Sequence, residues 1–110
     1  MMKVRSIFHI ATPVDAVRLE RAGSLSPASL ATEGFVHCSM AASVVRTTER
    51  HLNEVDDLVL IELATDKLDD EIRWPEVYPG EQFPHLYGPI PLAAVVKVHR
   101  WRPEDRQNFA

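Results

Sequence analysis

Residues 4–23 read VRSIFHIATPVDAVRLERAG and predict a buried strand that passes directly into a helix. Residues 4–11 are rich in β-branched and aromatic side chains, which favour a strand. Thr12 is suited to cap the helix, and Pro13 suits its first position. Gly23 is typical of the residue that follows a helix, so the helix is expected to end just before it.

The stretches that follow predict further strands and one more helix. Residues 35–39, FVHCS, read as a short strand, and Ser39 can cap a helix that runs from about residue 40 to residue 52. Residues 57–63, DLVLIEL, are the clearest strand, and residues 92–101 predict a closing strand. Strands and helices alternate only near the N-terminus, which favours an α+β fold over a doubly wound parallel sheet.

Two stretches lack a periodic pattern and predict loops. Residues 24–34 are expected to run over the surface, and residues 64–91 carry five of the eight prolines. A loop as long as the second one is either functional or hides elements that the pattern does not reveal. Residues 103–110 read as a polar C-terminal tail after a single domain over residues 1–102.

The overall composition is typical of a soluble globular protein, with 45% hydrophobic and 25% charged residues in a chain of 110. The net charge of −4 at pH 7 makes nucleic acid an unfavoured partner and gives no electrostatic reason to bind anionic membranes. No segment approaches the roughly 20 apolar residues of a membrane span. The single cysteine, Cys38, excludes an intramolecular disulfide and is typical of a cytoplasmic protein. The oligomeric state is left open.

Three of the five histidines lie within apolar stretches: His9 in SIFHIAT, His37 in EGFVHCS and His85 in EQFPHLYGPIP. Side chains alternate between the two faces of a strand, so His37 and Ser39 share one face, while His9 lies opposite Phe8. If these two strands pair, His9 and His37 can lie on one side, where helix N-termini favour anionic groups such as phosphate. The sequence therefore predicts one histidine-lined ligand site.

The proline-rich segment around His85 adds candidates to this site. Prolines restrict the backbone near His85 and Tyr87, which lowers the entropy cost of holding polar side chains in a binding loop. Glu81 and His85 can form an acid–base pair or ligate a metal. The helical His and Glu spacing of many metal sites is absent, so no metal site is predicted. His51 and His99 are expected to be structural or solvent-exposed.

Four ordered stretches, IFHIAT, SLATEGFVHCS, DDLVLIEL and FPHLYGPIPLAAVVKV, resemble the domain-of-unknown-function 952 family of small bacterial proteins. The resemblance extends to about residue 100. That family is similar in fold to the ADP-ribosyltransferases and RNA 2′-phosphotransferases, which use NAD in the cleft of a split, strongly bent sheet. The resemblance implies a small split, bent β-sheet with two helices near the N-terminal half. It also implies NAD as a candidate substrate, with no cofactor assigned.

The same resemblance implies roles for individual residues. His9 matches a first-strand histidine that lies against the nicotinamide-side ribose, and Thr12 falls near a threonine of that motif. His37 and Ser39 fit the second strand, where a histidine or aromatic residue and a serine contact the ligand. Tyr87 joins these residues as a ligand-binding candidate.

Two functions of different classes remain open. In the first, the protein is an enzyme that transfers ADP-ribose from NAD or cleaves its glycosidic bond, with Glu81 or His85 as the catalytic residue. In the second, the same cleft binds a small ligand or a protein partner without catalysis. Ile10 favours the second function, because it stands where the transferases have a glycine that lets the ligand approach the backbone.

Overall fold

The structure is a computed structural model that describes residues 4–107 and 109. In this part of the chain, four α-helices and ten β-strands form an α+β fold, which confirms the predicted class. The helices are α1 (Pro13–Ala22), α2 (Ala28–Thr32), α3 (Val44–His51) and α4 (Pro103–Arg106). The strands are β1 (Ser6–Ala11), β2 (Ser24–Leu25), β3 (Val36–His37), β4 (Val59–Ala64), β5 (Ile72–Arg73), β6 (Glu76–Tyr78), β7 (Glu81–Gln82), β8 (His85–Leu86), β9 (Ile90–Pro91) and β10 (Val95–Arg100).

Strand β4 lies at the centre of a three-stranded antiparallel sheet, between β1 and β10. Its two faces are buried in different clusters. Ile61 and Leu63 pack in a first core with Leu19 of α1, whereas Leu60 packs in a second core with Val44 of α3. Burial on both faces explains why this strand reads as an almost continuous apolar run.

A second three-stranded antiparallel sheet has β8 between β3 and β5. The two sheets meet where Phe8 and Ser39 exchange backbone hydrogen bonds, at 2.8 Å from Phe8 N to Ser39 O and 2.7 Å from Ser39 N to Phe8 O. Strands β2 and β9 form one further antiparallel pair, and β6 and β7 form another. The Phe8–Ser39 bridge therefore fixes how the first and second sheets sit together.

The strand and helix predicted over residues 4–23 are confirmed. Thr12 Oγ1 accepts a hydrogen bond from the backbone N–H of Asp15 at 3.2 Å, so Thr12 caps α1 as expected. Gly23 ends the helix with φ 80°, a left-handed conformation that favours glycine. These signals act within one helical turn, which is why the sequence alone reveals them.

The prediction that Ser39 caps the next helix is wrong. Ser39 lies on the bridge to Phe8, and α3 begins only at Val44. Between them, the backbone N–H of Ser43 donates to Met40 O at 2.9 Å and closes a turn. The long-range pairing of Ser39 with β1 holds the backbone extended and delays the start of the helix.

The two loop predictions are also wrong in part. Residues 24–34 contain β2 and α2, so the N-terminal half has three helices instead of two. Residues 64–91 contain the strands β5 to β9. Each of these strands has only two or three residues. Strands β6 and β7 pair locally across the Pro79–Gly80 turn, whereas β5, β8 and β9 pair with partners farther along the chain, as Leu25 pairs with Ile90. No local pattern can reveal the distant pairings.

Residues 103–107 and 109 of the predicted polar C-terminal tail contact the second core, and residues 108 and 110 lie outside the described part of the chain. Helix α4 carries the buried Arg106, whose Nη2 donates to Trp101 O at 2.9 Å and to Val55 O at 3.0 Å. The ring of Phe109 packs edge-on against Trp101, with the ring centroids 4.9 Å apart. Within the described residues, no helix has both the length and the apolar character needed to cross a membrane.

Candidate functional site

His9 lies on β1, next to the junction of the two sheets, and is only 8% exposed. Its Nδ1 lies 2.8 Å from the carbonyl oxygen of His37. A carbonyl oxygen can only accept, so Nδ1 carries a proton and donates it. Burial lowers the pKa of His9 below its ordinary value, and this effect outweighs the opposing hydrogen bond to His37. His9 is therefore a neutral imidazole whose Nε2 is an acceptor.

His37 is the exposed counterpart of His9. Its Nε2 lies 2.8 Å from Glu33 Oε2, a contact between the end of α2 and β3. Because an ionised carboxylate only accepts, Nε2 of His37 carries a proton and donates it to Glu33. The backbone carbonyl of His37 therefore contacts His9, while the side chain of His37 contacts Glu33.

His85 faces His37 directly across the β3–β8 pair, with the ring centroids 5.7 Å apart. One face of the His85 ring stacks on Phe35 at 3.9 Å, with the two planes 10° apart. Partial burial lowers the pKa of His85, and the neighbouring His37 adds to this effect. His85 therefore favours the neutral form at neutral pH.

These three histidines line one cavity, as the sequence predicted, and His51 of α3 joins them. This cavity, the histidine cavity, has a volume of about 490 Å³. His51 Nε2 lies 3.3 Å from the hydroxyl of Tyr78, which also lines the cavity. His51 is exposed, as expected, but its place in the site was not predicted.

The remaining lining is mostly apolar. It is formed by the following side chains: Ile10, Leu52, Val77, Phe83, Cys38, Ser39 and Thr47. Burial raises the pKa of the Cys38 thiol to about 12, so Cys38 is uncharged and unreactive at neutral pH. Ser39 Oγ donates to Thr47 Oγ1 at 3.4 Å. Among the described residues, the lining includes no Lys, Arg, Asp or Glu, so the histidines decide its electrostatics.

The catalytic candidate Glu81 lies outside this lining. Its Oε2 accepts a hydrogen bond from Arg50 Nη2 at 3.0 Å, and its Oε1 lies 2.9 Å from Arg46 Nη2 without hydrogen-bond geometry. The hydrogen bond to Arg50 is the main reason why the pKa of Glu81 lies below its ordinary value. Glu81 thus ties the β6–β7 hairpin to α3 as a carboxylate paired with two arginines.

Two ligand-binding candidates also lie outside the cavity lining. Thr12 is exposed and caps α1. Tyr87 is half-buried on the same strand face as His85, with its ring 5.5 Å from Phe35 and 4.6 Å from the guanidinium of Arg73. Of the seven predicted site residues, the structure brings together His9, His37, Ser39 and His85.

The sequence held signals for the site residues that the prediction missed. Thr47 and His51 are four positions apart on α3, which puts them on one helix face. Tyr78 precedes the Pro79–Gly80 turn of the β6–β7 hairpin, and Glu81 beyond this turn pairs with Arg46 and Arg50 of α3. The spacing of Thr47 and His51 is a local signal that the sequence contains, whereas the position of Tyr78 depends on tertiary contacts.

A larger groove of about 850 Å³ runs along α1 and β2. It is more open than the histidine cavity, and its walls include the exposed Val14 and Val17 together with Arg18 and Arg21. No histidine lines it. The histidine cavity is the better candidate, because it is more enclosed and brings several titratable groups together.

The chain has clear relatives among solved structures. It is similar to the crystal structure of protein CC0527 from Caulobacter crescentus, with 25% identity and a TM-score of 0.76 over 86% of this chain and 84% of that one. It is likewise similar to the solution NMR structure of CC0527, with 25% identity and a TM-score of 0.72 over 88% and 84% of the two chains. No curated protein matches the chain.

A family model described as "Protein of unknown function (DUF952)" matches residues 10–98. This match spans most of the chain and includes every residue of the histidine cavity except His9. The chain therefore belongs to the DUF952 family of proteins of unknown function.

Proposed function

We propose that this protein binds NAD or a related nucleotide in the histidine cavity. The observation that carries the proposal is the convergence of four imidazole rings on a cavity of about 490 Å³. Small-molecule sites are typically clefts of roughly 300–1,000 Å³, mostly apolar, with a few polar groups that orient the ligand. The aromatic and aliphatic side chains of the lining suit a flat heterocycle, and the imidazole nitrogens suit its polar edge.

The arrangement of the sheets supports NAD as the first candidate. Two three-stranded sheets meet at the bridge between Phe8 and Ser39, and the histidine cavity lies beside this bridge. The resemblance of the sequence to relatives of the ADP-ribosyltransferases implies a split, bent sheet with NAD in its cleft. We therefore propose an ADP-ribosyltransferase-like fold with the ligand at the junction.

Cleavage of the glycosidic bond of NAD is the reaction that these residues would support. The bond between ribose C1′ and the nicotinamide nitrogen breaks, and its electron pair leaves with nicotinamide, which departs neutral and needs no proton. Water forms the new C1′–O bond, and its proton passes to a neutral imidazole. His85 is the proposed base because its lowered pKa keeps it neutral. The arginine contacts of Glu81 favour His85 over Glu81 for this role.

A second candidate is binding without catalysis. The observation that favours it is the absence of a carboxylate among the described lining residues. An oxocarbenium-like transition state gains most of its support from fixed negative charge nearby. A cavity without such charge would hold the nucleotide but leave the bond intact.

Titration of the protein with NAD tests the proposal. The side-chain NMR signals of His9, His37 and His85 are expected to shift together and to saturate at one affinity. His99 is the internal control, because it pairs with Glu62 outside the cavity and its signal is expected to stay still. A folded sample in which none of the three signals moves would rule out NAD as the ligand.

Release of nicotinamide then separates the two candidates. An enzyme is expected to release nicotinamide from bound NAD, and a His85→Phe variant that still binds NAD is expected to lose this release. Saturable binding with no release over a long incubation would support the non-catalytic candidate instead.

A further inference from the structure

One polar atom of the site has no hydrogen-bond partner among the described residues. His9 Nδ1 is engaged with the carbonyl of His37, but no hydrogen bond of a described residue reaches His9 Nε2. Glu81 Oε1 is the one fully enclosed side-chain polar atom without a partner among the described residues. His9 Nε2 is therefore not fully enclosed, and the histidine cavity is the open space that His9 lines, although the residue is only 8% exposed.

We infer that His9 Nε2 is the hydrogen-bond acceptor for a neutral planar ligand group that donates an N–H, such as a primary carboxamide. The inference rests on the proposed function of the histidine cavity and adds the chemical selectivity of that site. The Nδ1–H donated to the His37 carbonyl fixes the tautomer, so Nε2 offers a lone pair. Acceptor atoms on the ligand would meet that lone pair and be repelled.

The depth of the cavity decides which part of a nucleotide reaches His9. His9 is buried, His85 is half-buried and His37 is exposed, so these three residues run from the inner end to the rim. The inner end has no charged side chain among the described residues that could neutralise an anion. A neutral head group therefore enters toward His9, while the charged phosphates stay near solvent.

The same features predict discrimination between a carboxamide and a carboxylate of the same shape. A carboxylate has no N–H, carries a charge into an apolar recess, and places oxygen lone pairs against Nε2. Leaving a buried acceptor unpaired costs about 1–3 kcal/mol, which corresponds to roughly 5- to 150-fold in affinity. NAD is therefore expected to bind at least about fivefold more tightly than its analogue with a nicotinic acid head.

The tautomer of His9 is the first test, and it needs no ligand. Long-range ¹⁵N–¹H spectra of the free protein are expected to show His9 protonated at Nδ1 and unprotonated at Nε2. The opposite tautomer, or a doubly protonated ring at neutral pH, would overturn the inference whatever the ligand.

The second test compares NAD with its nicotinic acid analogue by calorimetric titration. The wild-type protein is expected to prefer NAD, a His9→Phe variant is expected to lose the part of this preference that Nε2 provides, and a His99→Phe variant is expected to keep the full preference. Equal binding of both probes by the wild-type protein would overturn this inference and leave the proposed function standing. Binding of neither probe would overturn the proposed function, and the inference with it.

Discussion

The burial of His9 couples the protonation of one imidazole to folding. Its pKa is lowered in the folded protein mainly by desolvation, whereas an unfolded histidine has a pKa of about 6.5. As the pH falls below about 6.5, the unfolded chain takes up a proton that the folded chain rejects. The stability that His9 contributes is therefore complete above this pH and decreases below it, until the folded pKa is reached.

We predict that a His9→Asn substitution weakens this acid sensitivity. The asparagine amide can replace Nδ1 as donor to the His37 carbonyl but does not titrate. Urea unfolding between pH 7.5 and 5 measures the effect, and the His9 contribution has a maximum slope of about 1.4 kcal/mol per pH unit. A His99→Asn variant is the control. If both variants keep the wild-type slope, proton uptake at His9 does not govern acid stability.

Helix α3 packs Val44 in the second core, and among the described residues a side-chain hydrogen bond from Trp101 to Thr48 also joins the helix to this core. Trp101 Nε1–H donates to Thr48 Oγ1 at 3.0 Å, and this hydroxyl donates to Val44 O at 2.8 Å. Thr48 and Trp101 are both almost completely buried. The hydroxyl is therefore the partner that a buried indole N–H requires.

A Thr48→Val variant is predicted to lower the free energy of unfolding by about 1–3 kcal/mol, because it leaves the indole N–H of Trp101 unpaired. Denaturant titration followed by Trp101 fluorescence measures the loss. The matched control is Thr47→Val, one position away on α3, where only a 3.4 Å contact with Ser39 is lost. Similar losses in both variants would contradict the role given to the Thr48 hydroxyl.

The β6–β7 hairpin forms one wall of the histidine cavity and depends on Glu81 for its position. Glu81 contacts Arg46 and Arg50 of α3, and the guanidinium of Arg50 lies 3.9 Å above the ring of Tyr78. A Glu81→Gln variant is predicted to exchange the hairpin amides of residues 76–82 faster, while the amides of β4 keep their protection. Hydrogen exchange measures this difference.

Glu71→Gln is the matched control for the hairpin. Glu71 pairs with the exposed Arg73 on β5, away from the hairpin, so its loss is expected to leave exchange in the hairpin unchanged. Unaltered hairpin exchange in the Glu81→Gln protein would mean that Tyr78 and its neighbours hold the wall without the ion pairs.

How far the sequence predicts each element depends on the range of the interactions that form it. Thr12 and Gly23 set the ends of α1 through contacts within one helical turn, and the sequence predicted both ends. Leu25 pairs with Ile90, which is distant in the sequence, so the sequence did not predict strands β2 and β9. The site follows the same rule: strand alternation allowed His9 and His37 to lie on one side if their strands paired, whereas the wall that carries Tyr78 required tertiary contacts.

At the scale of the whole molecule, β4 is shared by both cores, and we therefore expect the fold to unfold as a single cooperative unit. Leu63 is fully buried in the first core and Leu60 in the second, on opposite faces of the same strand. Strand β1 reaches the second sheet through its bridge at Phe8. Loss of either core therefore removes the support of the other and of the junction beside the histidine cavity.

We predict that Leu60→Ala and Leu63→Ala each lower the free energy of unfolding by about 2–5 kcal/mol, because each leaves a cavity in a packed core. The Val96→Ala substitution, at an exposed position, is expected to change the free energy of unfolding by no more than about 0.5 kcal/mol.

The same leucine variants test whether the two cores unfold together. In a Trp74→Phe background, Trp101 fluorescence reports the second core, and far-UV circular dichroism reports all elements. The two transitions are expected to coincide in both leucine variants, because β4 cannot leave one core and remain in the other. In the Leu63→Ala variant, the circular dichroism signal could be lost while the fluorescence of Trp101 stays native. This result would mean that the two cores unfold separately and that the junction that holds His9 belongs to the less stable core.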